Sequence, residues 1–148
     1  ADAIDIDFGE VFFSKITCVN IINDCLDVSG VKVKGDYLEA INVNDKGLSF
    51  GESSHGIISE TNFINNNLGL AVKDGSDLIL LNNHSVDNKF DIAVFNKKNE
   101  YGSSKLDLKN INNIENSKIL LGENNKIVSN LDLKIQNVKN SYINNLIY

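Results

Sequence analysis

Three aspartates near the start of the chain, Asp5, Asp7 and Asp27, have the types and spacing for chemistry. Asp5 and Asp7 are two apart, on one side of an extended strand, and Asp27 occupies the place of Asp5 in a second copy of the same pattern. Carboxylates stacked about 5 Å apart would bind Ca2+ through oxygen ligands, or act as the acid and base of glycoside hydrolysis. They also repel one another, so a lysine or a cation must sit beside them. A solvated face, or packing against a preceding coil, accounts for the same residues without a ligand.

A second group comprises Glu52, Lys73, Asp74, Lys97, Lys98, Glu100 and Tyr101. These residues follow equivalent strands just past their ends, so the expectation is that they line one flank together. Such a flank would form a saccharide groove with Tyr101 as stacking platform and Lys73 or Lys97 facing acidic sugars. A lyase or epimerase needs a base beside a group that neutralises the uronate carboxylate, and Lys73 with Tyr101 is the pair available. Ordinary loop polarity, with ion pairs such as Glu52 with Lys73, is the plainer reading. His55 and His84 fall in different repeats without a triad partner, and no glycine-rich phosphate cradle is present. Asn83-His84-Ser85 is a formal glycosylation acceptor placed in a strand or tight turn. Cys18 and Cys25 lack metal-ligand spacing and read as two small buried thiols in preference to a disulfide.

The element that positions these residues is a repeat. Ile4, Leu26, Leu48, Leu70 and Ile92 recur at a constant step of 22. Each sits in an alternating tetrapeptide, from Ala3-Ile4-Asp5-Ile6 to Asp91-Ile92-Ala93-Val94. Alternation marks strands, with Asp5, Asp27, Ser49, Ala71 and Ala93 on the opposite face. A second series is read as Ile16, Leu38, Ile58, Leu80, Leu108 and Leu133, and a third as Ile64, Val86, Ile114 and Val138. Asn44, Asn66 and Asn88 precede successive strands. Residues 96–104 read as an enlarged loop, and "SKILLGE" and "SYINNLIY" as first strands of later units.

A repeat of this length with short strands and Gly and Asn turns fits a right-handed parallel β-helix of about six coils, one domain over residues 1–148. Stacked Leu, Ile and Val fill it, and stacked asparagines form amide ladders. The absence of proline suits a body made of inner strands. Asn makes up about one residue in six, a bias that AT-rich coding would favour.

The net charge is −6, and all 14 basic residues are lysine. Without arginine or a basic surface, duplex nucleic acid is excluded as a partner. The apolar runs are too short for a membrane span. The start at "ADAIDIDF" suggests a mature or excised piece of a longer chain.

The stacked runs "AIDID", "CLDVS", "GLSFG", "GLAVK" and "DIAVF", with their Asn-rich turns, resemble the right-handed parallel β-helix (pectate-lyase-like) superfamily over essentially all of the chain. "NDCLDVSG", "NDKGLSFGESS", "GLAVKDGS" and "NKKNEYG" further resemble bacterial surface β-helix modules, some of which accompany spore-coat-kinase-like domains. That superfamily holds lyases, hydrolases, epimerases, adhesins and inert spacers, so fold alone assigns no activity. The expected function is an extracellular or cell-surface structural or adhesive module, stacking on itself into filaments and contacting carbohydrate. The rival is a lyase, epimerase or glycoside hydrolase acting on an acidic polysaccharide. Open coil ends would be covered by flanking domains or by copies of the chain, with Tyr142, Ile143, Leu146, Ile147 and Tyr148 as an apolar stacking terminus. No cofactor is expected apart from Ca2+ at the aspartates.

Overall fold

The computed structural model describes residues 1–148 and is a parallel β-solenoid of about six turns. Its strands are β1 (Ile4–Ile21), β2 (Leu26–Val43), β3 (Lys46–Gly51), β4 (His55–Ile64), β5 (Leu68–Lys73), β6 (Asp77–Val86), β7 (Phe90–Phe95), β8 (Lys105–Leu108), β9 (Ile119–Gly122), β10 (Lys126–Val128) and β11 (Ile135–Val138). One helix, α1 (Asn140–Ile147), follows them. Every strand pairing is parallel: β3, β5, β7, β9 and β11 stack along one wall, and β4, β6, β8 and β10 along another. β1 and β2 are long enough to run through both walls of their coils.

The first column is the one the 22-residue step predicts. Ile4, Leu26, Leu48, Leu70 and Ile92 pair successively, and Ile119 and Ile135 extend the series. Leu48, Leu70 and Ile92 are fully buried, as close-packed columns of branched side chains should be.

The second series needs correction, because it merges two columns. Ile58, Leu80 and Leu108 stack with Gly35 and Phe13, whereas Ile16 and Leu38 stack with Thr61 and Asn83. The cause is a bend. Buried residues run Val31, Val33, Gly35 and then Leu38, Ala40, so the inward phase slips by one near Asp36 and the strand turns a corner. At that bend the Phe13 ring fills the place of a side chain at Gly35, where a Cβ would lie 2.1 Å from it. Ile64 pairs with Val86 as expected, but Ile114 lies in a short 3-10 turn and Val138 belongs to the first wall. Leu133 lies outside any strand.

The corner that ends the second wall, past its bend, is set by Asn20, Asn42, Asn65 and Asp87, whose φ values are 60°, 56°, 55° and 57°. Asn and Asp tolerate this left-handed conformation best among residues with a side chain. Asn42 donates to Asn20 Oδ1 at 3.0 Å and Asn65 to Asn42 Oδ1 at 2.7 Å, an amide ladder along the axis. An inner ladder runs beside it, in which Asn66 Oδ1 accepts the Val43 N–H and Asn88 Oδ1 accepts the Asn66 N–H. Asn44 is exposed and only the later members of its series are buried. The opposite corner carries a serine ladder: Ser54, Ser76 and Ser104 each accept a backbone N–H from the preceding coil.

Cys18 and Cys25 form a disulfide, which corrects the expectation of free thiols. The Asn20 corner folds the chain back so that both residues point into the core, with Cα atoms 5.7 Å apart. Opening this short loop by Cys25→Ser is expected to cost about 2–3 kcal/mol, from the entropy it removes from the unfolded chain. Urea unfolding of the variant against oxidised wild type measures it.

"SYINNLIY" is not a strand but part of α1. Ile143, Leu146 and Ile147 fall at helical spacing and seat on Leu68, Ala71, Ala93, Phe95 and Leu120. These are outward-facing first-wall positions, so the small apolar Ala71 and Ala93 that succeed Asp5 and Asp27 mark where the outer surface is covered. The terminus therefore closes a side of the solenoid, not its end. No helix is long and apolar enough to cross a membrane.

Candidate functional site

The flank anticipated from the repeat is real as a place. Its corners are residues 51–54, 73–76 and 96–104, the last containing a short 3-10 helix, Asn99–Tyr101. Within it the side chains sort into two clusters. Glu52 pairs with Lys98 and accepts from Tyr101 Oη at 3.3 Å, and Lys98 with these donors holds its carboxyl below the usual range. Glu100 is exposed beside them.

Lys73 lies across Gly51, is nearly buried, and donates to Tyr148 Oη at 3.0 Å. The Lys97 ammonium sits 3.9 Å from the centre of the Tyr148 ring and the Lys46 ammonium 4.8 Å from it. Loss of water, followed by the charges of Lys73, Lys46 and Lys98, lowers Lys97 from the ordinary lysine value. Lys73 thus pairs with Tyr148, a residue with no place in the flank by repeat position, while Tyr101 pairs with Glu52. Only the fold of α1 could bring Tyr148 here.

Asp74 has a different task. It is buried, and its Oδ1 accepts the N–H groups of Lys97 and Lys98 at 2.7 and 2.6 Å, pinning the enlarged loop to the preceding coil. That loop would lose its anchor in Asp74→Ala. The expected cost is about 1–3 kcal/mol, from two part-buried N–H groups that lose their acceptor and from an alanine held at a φ of 56°. Thermal unfolding checks it.

Among the aspartates, Asp5 pairs in register with Asp27, as the stacking predicts, and Asp7 with Ser29. Desolvation, then Asp7, Asp27 and Asp2, raise the Asp5 carboxyl. The carboxylates that converge within 4.8 Å of one another are Asp2, Asp24 and Asp27, so the group shares only Asp27 with the sequence expectation. The neighbouring cation is Lys46, 3.1 Å from Asp24 Oδ1 and 2.8 Å from Asp45 Oδ1. Burial lifts Asp24 to about 6 against the pull of Lys46.

Sequence reasoning missed a third surface, on the outside of β2, β4 and β6 past their bend. Tyr37 Oη donates to Glu39 at 2.8 Å, Asn62 donates to the same carboxylate oxygen at 2.6 Å, and these bonds lower Glu39. Glu60 and Asn82 stack on Tyr37 in register. Together with His84 they line a shallow groove of about 280 Å³. The outward alternation of Tyr37 and Glu39 was the available signal. Asn83 is buried in β6, with Nδ2 bonded to Thr61, and is no accessible glycosylation acceptor.

Set beside protein-family models, curated proteins and solved structures, the chain matches none. Its likeness to β-helix proteins is one of architecture, carried by stacked parallel coils.

Proposed function

We propose that this chain is an extracellular structural or adhesive module that grows by stacking coil on coil with further copies of itself, and that offers its polar outer surfaces to carbohydrate. One observation carries the reading. β1 is an 18-residue strand that pairs with β2 alone, and no strand of residues 1–148 lies along its other edge. Along that edge the interior columns end half-buried at Ile4, Ile6, Val11, Phe13 and Ile16, and Phe8, Phe12, Val19 and Ile22 are exposed. Unpaired strand edges add strands.

A second copy is the matching occupant. The column that begins at Ile4 ends at Ile135, and the one that begins at Val11 ends at Ile127, both half-buried. One copy's last coil could therefore continue another's first in register. The Cys18–Cys25 disulfide supports an oxidising compartment. Exposed Tyr101 beside Glu52, and the Tyr37 groove, supply the aromatic and hydrogen-bonding groups that sugars use.

Sedimentation velocity over a wide concentration range tests this. Wild type is expected to associate, and Ile4→Lys with Val11→Lys, which place ammonium groups at the open column ends, to remain monomeric with unchanged circular dichroism. A wild type that stays monomeric at every concentration would refute it. Turnover of a uronate polysaccharide, lost in Lys73→Ala or Tyr101→Phe, would favour the lyase or epimerase instead.

A further inference from the structure

We propose that Lys46 and Asp24 form an intramolecular amide cross-link between adjacent coils, with Asp45 relaying the protons. This is a modification site independent of the assembly reading.

The site is built by the repeat. Asp24 and Lys46 are 22 residues apart, so they occupy the same position one coil later. The Lys46 N–H donates to Asp24 Oδ1 at 3.0 Å, and its Nζ lies 3.1 Å from the same oxygen. The Asp24 N–H is held in turn by Asp2 Oδ1 at 3.1 Å. Lys46 is 2% exposed and Asp24 5%, an unusual depth for an ion pair. The Tyr148 ring lies over the ammonium, and Leu68 occupies the next position in register. Asp45 Oδ1 is 2.8 Å from Nζ and is buried with no partner besides this ion pair. The remaining charges facing the pair are Asp2 and Asp27 beside Asp24, with Lys73 and Lys97 around the same ring.

These groups suffice for condensation. The Lys46 ammonium passes a proton to the Asp45 carboxylate, and the freed amine attacks Cγ of Asp24. The Nζ–Cγ bond forms and a Cγ–O bond breaks. The departing oxygen leaves as water, taking both protons that the nitrogen loses, one of them returned by Asp45. Ammonium and carboxylate become amide and water, with no redox change and no net proton. Because burial opposes the charged form of Asp24, its carboxyl takes over the proton that Asp45 received from Lys46, and the neutral acid is the more electrophilic form. Although burial opposes its charge, Lys46 is kept above the ordinary lysine value by Tyr148, Asp45 and Asp24, and this is why a relay is needed. The coil spacing holds the reacting groups at contact distance, and this replaces a bimolecular encounter. The product removes two buried charges, each costly to keep from water.

The test is a mass measurement on the folded, purified chain after full reduction and alkylation. The expected mass is one water below that of the sequence, and a digest should yield a branched peptide joining the segments that carry Asp24 and Lys46. Asp45→Asn and Lys46→Arg should restore the full mass, with unchanged circular dichroism showing that the fold persists. Full sequence mass in wild type after prolonged incubation overturns the proposal, and that result depends on no variant. A water deficit that maps to a succinimide at Asp74-Gly75 overturns it equally.

Discussion

Replacing Leu70 with Ala is expected to destabilise the protein by about 3–5 kcal/mol, near the top of the range for a buried leucine. Leu70 is fully buried between Leu48 and Ile92, with a layer above and a layer below to hold the cavity open. The wall cannot collapse there without breaking the ladder on both sides. Ile4 belongs to the same column but has a neighbour on one side only and is half-buried. Ile4→Ala should therefore cost about half as much or less, in line with the smaller area it removes from water. Urea unfolding of both variants reads the difference. Equal losses at the two positions would mean that vertical packing is not what stabilises the coils.

Asn66→Ala should cost about 2–4 kcal/mol, because each buried backbone group left without a partner carries a penalty of about 1–3 kcal/mol. The Asn66 side chain accepts the Val43 N–H at 2.8 Å and donates to the Ala40 carbonyl at 3.0 Å, and alanine can do neither. Its neighbour Asn65 provides the control. Asn65 is exposed, and its φ of 55° is one that glycine adopts freely. Asn65→Gly is expected to change stability by less than about 1 kcal/mol, since it trades one exposed amide bond for a relaxed backbone. Thermal and urea unfolding of the two variants should separate the inner amide ladder, which replaces backbone pairing at a corner, from the outer one, which decorates it.

Much of the architecture was legible because a solenoid repeats its reasons. The step between Ile4, Leu26, Leu48, Leu70 and Ile92 is the length of one coil, and each inward residue is followed by an outward one in the same strand. The enlarged loop at 96–104 was equally plain, as a break in a constant step. Less legible was the bend inside β2, β4 and β6. A phase slip of one residue there moves Leu38 and Ile58 to different columns, although both are large, apolar and inward.

The candidate sites show the same division. That Glu52, Lys73, Asp74, Lys97, Lys98 and Tyr101 share a flank follows from repeat position, which is local information multiplied by a constant. Which of them touch does not follow. Asp74 turned inward to hold the backbone of Lys97 and Lys98, and Lys73 turned to Tyr148, 75 residues away.

The coil length, the first inward column, the corner positions of Asn66 and Asn88 and the acidic start of the outer first-wall column are written in the order of residues alone. All of these depend on neighbours a fixed step apart. Folding in three dimensions was needed to make the last residues a helix, to lay it over Ala71 and Ala93, and to enclose Lys46 with Asp24 and Asp45 beneath Tyr148. The physical reason is that α1 stands outside the repeat. Its apolar face has no periodic partner, so where it packs is set by whichever outer surface the assembled coils leave apolar.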